Sequence, residues 1–93
     1  MAPRITMNTT PDGELEISLN EQGRDLLVRL LMSLNETSEH FHLGSWEGAE
    51  VMVSARGYRP TDTVLHAGKV MLRLDAWDKV YFPHVMEDPT EEG

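Results

Sequence analysis

His40 and His42 form a His-x-His pattern, the spacing that puts two imidazoles on one face of a β-strand. Imidazoles so placed chelate zinc or copper when a third ligand converges. His66, His84 and Glu50 are the third ligands on offer, but nothing in the spacing ties any of them to the pair. The closed ligand set of a zinc site is not visible. Solvent-facing histidines set between core residues explain the pattern equally well. Carboxylates also come in pairs: Glu14 with Glu16, Glu36 with Glu39, Glu47 with Glu50, and Asp75 with Asp78. General acid–base work needs two carboxyls held in different environments so that their pKa values separate. Turns and wet strand faces do not separate them, so these pairs read as solvated surface. Gly44-Ser45-Trp46-Glu47-Gly48 shares its outer glycines and serine with a nucleophile elbow. That motif needs a strand running into a helix, and here one strand runs towards another. No phosphate-cradling glycine loop is present. The expectation is a chain without a catalytic set and without a cofactor.

Aromatic residues offer binding chemistry instead. Trp46, Tyr58, Trp77, Tyr81 and Phe82 lie outside the main apolar pattern. Partly exposed Trp and Tyr are common anchors of protein interfaces. Trp46 is flanked by Glu47 and Glu50, and an aromatic ringed by carboxylates suits a basic cleft on a partner. The competing expectation is that Trp46 and Trp77 cap the two ends of a small core. Met32, Met52, Met71 and Met86 read as core gap fillers.

The elements that must position these residues are set by size and pattern. Ninety-three residues support one domain with a modest core. The apolar fraction of 40% and charged fraction of 26% are those of a globular chain. The formal charge of −8 repels phosphate backbones, which argues against nucleic acid, and steers a cationic partner. No cysteine is present, which excludes disulfides, thiolate metal sites and cysteine nucleophiles. No apolar run approaches a membrane span, and the N-terminal stretch lacks a secretion-signal core. A cytoplasmic location with no membrane contact is the expectation.

Arg4 to Thr9 and Glu14 to Leu19 alternate around the turn Thr10-Pro11-Asp12-Gly13, which predicts a hairpin. Leu15, Ile17 and Leu19 are expected on its buried face. Asn20 caps a helix running to Leu34, with Leu26, Leu27, Leu30, Leu31 and Leu34 as its apolar stripe. Gly23 is a blemish in that helix, lowering propensity by about 1 kcal/mol relative to alanine. His40 to Leu43 predicts a strand with Phe41 and Leu43 inward. Glu50 to Ser54 predicts another, with Val51 and Val53 inward. Arg56 to Asp62 reads as a loop, Lys69 to Leu74 as a strand, and Lys79 to Phe82 as a further short strand or a docked segment. The fold class is α+β: a two-layer sandwich, one main helix on an antiparallel sheet of about five strands in the order β-β-α-β-β-β. Residues 1–86 form the single domain and 87–93 a flexible acidic tail.

The segments GELEISLNEQGRDLLVRLLMSL, EHFHLGSWEGAEVMV and VMLRLDAW, between Gly13 and Trp77, resemble the immunity-protein-32 family of bacterial polymorphic toxin systems. The shared features are a leucine-rich helix after a first strand, a histidine-containing strand soon after, and a late alternating strand. The resemblance implies a protein that binds a cognate toxin domain and occludes its active or target-binding cleft, with no catalysis of its own. It carries over no site residues. From the residues themselves, the partner-binding set is Glu36, Glu39, His40, Trp46, Glu47 and Glu50, with Asp62 and Asp75 as outliers. The partner is a toxin with a basic cleft. Two alternatives stand beside it. One is a small metal-binding or enzymatic module using His40 and His42. The other is a domain that self-associates through an edge strand or its outer sheet face.

Overall fold

The computed structural model describes residues 2–87. Most of the acidic stretch expected as a tail therefore lies outside the described residues. The elements run β1 (Ile5–Thr9), β2 (Leu15–Leu19), α1 (Glu21–Ser33), β3 (His40–Gly44), β4 (Val51–Met52), β5 (Thr63–Val64), β6 (Ala67–Met71) and α2 (Asp75–Tyr81). A 3-10 turn, Pro83–Met86, follows. The class is α+β. The strands divide into two three-stranded sheets, ordered β2-β1-β5 and β4-β3-β6, rather than forming one sheet of about five.

The hairpin forms as its alternation requires. β1 and β2 pair antiparallel with Ile5 opposite Leu19 and Met7 opposite Ile17. Gly13 takes φ 87°, a left-handed value that glycine adopts without strain. Asn20 caps α1: its Oδ1 accepts the Gly23 N–H at 2.7 Å and the Arg4 N–H at 2.9 Å. Asn35 ends the helical region, its Oδ1 accepting the N–H groups of Thr37 and Ser38. An asparagine that bonds the backbone ahead of it offers the chain a turn in place of further helix.

Four expectations need correction. First, β4 runs parallel to β3, pairing Val51 with Leu43 and Met52 with Gly44. The connection folds back on itself at Gly48, φ 100°, so the chain re-enters beside β3 in the same direction. Second, a strand, β5, forms after the Arg56–Asp62 loop and adds to β1, with the Leu65 N–H donating to the Met7 carbonyl at 2.8 Å. Third, the late strand spans Ala67–Met71, and Lys79 to Tyr81 belong to a helix. Asp75 and Asp78 in the first turn of α2 and Lys79 in the last suit the helix dipole. Fourth, Leu15, Ile17 and Leu19 share the helix-covered side with Ile5 and Met7 yet remain 58%, 50% and 41% exposed. The reason is where α1 sits. A Cβ on Gly23 would lie 2.9 Å from the Ile5 side chain, so the helix rides on β1 and leaves β2 uncovered.

The core is Ile5 and Met7 of β1, Phe41 and Leu43 of β3, and Val51 and Val53. Leu26, Leu27, Leu30 and Leu34 of α1 pack on it, together with Leu65 and Val70. The helix thus joins the two sheets, its leucines packing on core residues from both. Met7 fills the core as a methionine can. Met32, Met52, Met71 and Met86 do not, since all four are on the surface.

Candidate functional site

The strongest candidate is the outer face of the β4-β3-β6 sheet. Alternation along β3 buries Phe41 and Leu43 and turns His40, His42 and Gly44 outward. Register then decides their neighbours. Met71 lies opposite His40, Lys69 opposite His42, Ala67 opposite Gly44, and Met52 beside Gly44 on the other flank. Gly44 makes a seat for Trp46. A Cβ at Gly44 would fall 1.8 Å from the indole ring, so only glycine lets the ring lie against the strand. The imidazole of His42 stands edge-on to His40 at 5.1 Å and to Trp46 at 6.2 Å between ring centroids.

Glu50 completes the arrangement. Its Oε1 accepts the backbone N–H of His42 at 3.1 Å and lies 3.3 Å from His42 Nδ1. β4 begins one residue later, so this carboxylate serves the His42 N–H beyond the end of the β3–β4 ladder. The backbone N–H of His42, then its ring, holds the Glu50 carboxyl below its ordinary value. Trp46, Met52 and Met71 keep 43%, 58% and 41% of their surface, giving an aromatic and thioether surface around the two histidines.

The structure brings His40, Trp46 and Glu50 together through His42. Glu47 follows Trp46 in the same exposed connection. Glu36 and Glu39 lie at the opposite end of β3, and the Glu39 carbonyl accepts the Leu72 N–H at 2.6 Å. Asp75 opens α2 just past the end of β6. Carboxylates therefore bracket β3 at both ends. Asp62 is different. It sits by the other sheet with its carboxylate turned inward and 1% exposed. Its Oδ2 accepts Asn8 Nδ2 at 3.1 Å and Arg59 Nε at 2.7 Å. Asn8 also bonds Glu16, and Arg59 pairs with Glu16. This cluster ties a loop to β1 and β2 and keeps the Asp62 carboxylate from the surface. Asn8 first, with help from Arg59, holds the Glu16 carboxyl below its ordinary value, against the opposing effect of desolvation.

A second feature was not read from the sequence. Glu39, Met71, Leu72 and Arg73 line a groove of about 290 Å³ with Trp77, Tyr81 and Phe82. Arg73 lies 5.3 Å from the Phe82 ring centroid, within cation–π range. The signal was the Trp77 and Tyr81 pair at i, i+4, which reads as one helix face once Asp75–Tyr81 is taken as helical.

Among the described residues, no three His, Asp or Glu side chains converge as a metal site. Nor is any helix among them long and apolar enough to cross a membrane. Ser45 leaves β3 for a loop and then β4, without the helix a nucleophile elbow requires. What the face offers chemically is therefore a desolvatable aromatic, two hydrogen-bonding rings and flanking negative charge. Compared with known protein families, curated proteins and solved structures, the chain finds no match in any of the three.

Proposed function

We propose that this chain is an immunity protein that binds a bacterial toxin domain in the cytoplasm and occludes its active or target-binding cleft. The observation that carries the reading is Trp46 seated on Gly44 and still half-exposed, beside His42 and Met52, with acidic residues at both ends of the strand. Interfaces concentrate affinity in such aromatic anchors, while surrounding charges govern encounter rate and orientation. A net charge of −8 complements a cleft that is basic because its substrate is anionic. The resemblance of the Gly13 to Trp77 segments to the immunity-protein-32 family supports the same reading.

The test is co-expression with bacterial toxin domains that carry a basic cleft, followed by affinity measurement at several salt concentrations. Trp46→Ala is expected to weaken binding about 30-fold, the ~2 kcal/mol loss of an interface anchor. Glu47→Lys with Glu50→Lys is expected to slow association and flatten the salt dependence. Full protection by both variants at unchanged affinity overturns the reading. The same side chains could instead serve a metal-binding or enzymatic module on His40 and His42. Stoichiometric zinc in the purified protein, lost on His42→Ala, would favour that alternative.

A further inference from the structure

The open edge of β2 carries its own geometric instruction, independent of the partner reading above. At the two ends of the hairpin, the Thr10 N–H donates to the Glu14 carbonyl and the Asn20 N–H donates to the Arg4 carbonyl. Antiparallel pairs alternate between exchanging backbone bonds and not exchanging them. The backbone groups of Glu16 and Ser18 therefore face β1 like those of Glu14 and Asn20. Those of Leu15, Ile17 and Leu19 face outward from the sheet, because β2 is its edge and, among the described residues, has β1 as its one strand partner. These residues also hold the half-exposed apolar side chains. Glu21 and Arg24 of α1 line the groove beside Ile17 and Leu19. Val28 and Leu31 follow them at helical spacing on that flank, and both are half-exposed.

We infer that β2 pairs antiparallel with β2 of a second copy about a two-fold axis at Ile17. In that register Ile17 meets the partner's Ile17, and Leu15 meets the partner's Leu19. Each such pair exchanges both of its free backbone bonds. Glu16 meets the partner's Ser18, and Glu14 meets the partner's Asn20, so no carboxylate faces another. Moving the axis to Glu16 would set two Glu16 side chains directly opposite, which disfavours it. The charge pattern thus disfavours that register, and an axis at Ser18 would set the apolar Leu15 opposite the partner's Glu21, leaving the axis at Ile17 as the one that pairs every apolar residue of β2 with another. The result is one continuous sheet across the two copies, with the exposed flanks of both α1 helices closing over the Ile17 pair. Leu15, Ile17, Leu19, Val28 and Leu31 present on the order of 500 Å² per copy, so these side chains contribute at most about 1,000 Å² to the pairing, the lower bound of a specific interface. Each copy carries −8, so added salt strengthens this association by screening, the reverse of its effect on a cationic partner.

Sedimentation equilibrium on the full chain, up to about 0.5 mM, tests the pairing over the affinity range such an interface supports. The expected result is a species of twice the 10.5 kDa chain mass, favoured by salt. Ile17→Lys is expected to raise the dimer dissociation constant at least about 100-fold, because an edge lysine blocks strand addition. Its circular dichroism should stay unchanged, since the Ile17 backbone bonds lie outside the monomer. The chain has no cysteine, so single introduced thiols report the register. Ile17→Cys should oxidise to a linked dimer, the opposed Cα atoms being about 5.5 Å apart. Glu16→Cys and Ser18→Cys should link poorly. A monomer throughout the concentration range overturns the inference. So does a dimer that Ile17→Lys leaves intact, or one that links through Glu16→Cys in preference to Ile17→Cys.

Discussion

Gly23 shows how far one residue's role can depart from its propensity. In the sequence it weakens a helix by about 1 kcal/mol. In the structure it is where α1 touches β1. A Cβ there would come 2.8 Å from the Arg4 carbonyl oxygen and 2.9 Å from Ile5 Cγ1. Gly23→Ala is therefore expected to lower stability by about 1–3 kcal/mol through overpacking, despite the better helix former. Urea denaturation monitored by tryptophan fluorescence checks it; a more stable variant would show that the helix can shift away freely. Asn8 is the converse case. Its place in an alternating strand suggests a wet side chain, yet it is 1% exposed. It is buried because its amide bridges Glu16 and Asp62 beneath the loop that Arg59 clamps. No local pattern announces that loop, since the residues involved lie far apart in sequence. The burial of Asp62, which the sequence places among outlying partner-binding residues, is hidden for the same reason.

At the scale of elements, the hairpin, α1 and β3 were legible because each carries a clean period and a recognisable end. Asn20 is such an end, and it does more than cap. Its Oδ1 receives the Gly23 and Arg4 N–H groups, and its Nδ2 donates to the Ala2 carbonyl at 3.0 Å. Asn20→Ala is expected to cost about 2 kcal/mol, the upper end of the capping range, because the helix start and the approach to β1 loosen together. Thermal unfolding followed at 222 nm reads this; a loss of only a few tenths would mean that water replaces the amide without penalty. The second half of the chain was less legible. β4 and β5 are two residues long, too short for a period to show. α2 was obscured because Val80, Tyr81 and Phe82 favour strands by composition. The candidate face on β3 was legible in part. The outward His40 and His42 followed from alternation, whereas Met71 reads as a core residue in the sequence and Gly44 as the seat of Trp46 depended on how the following loop folds back.

The whole molecule is more open than its length suggests. Its radius of gyration is 16.0 Å, against about 12 Å for a closed domain of this size. Apolar surface remains along β2, on the outer face of β3 and its neighbours, and around α2. Two of the molecule's carboxyls bear on its stability in acid. Glu16 and Glu50 are both held below their ordinary values, one by Asn8 and Arg59, the other by His42. A depressed folded value adds stability that is fully present above the unfolded carboxyl value and is lost as pH falls through the folded one. Urea midpoints are thus expected to hold near neutrality and fall below the ordinary carboxyl range. Glu16→Gln with Glu50→Gln should flatten that acid limb; a limb as steep as the wild type's would place the sensitive groups elsewhere. By itself the sequence determined the α+β class, the hairpin, the capped leucine helix, the inward faces of β3 and β4, and the acidic surface. All of these depend on residues within a few positions of one another. Only the tertiary structure decided the split into two sheets, the parallel β4, the uncovered edge of β2 and the burial of Asp62. The parallel β4 depends on the fold-back at Gly48, the burial of Asp62 on Asn8 and Arg59, and the uncovered edge of β2 on the close approach of α1 to Ile5, none of which a periodicity encodes.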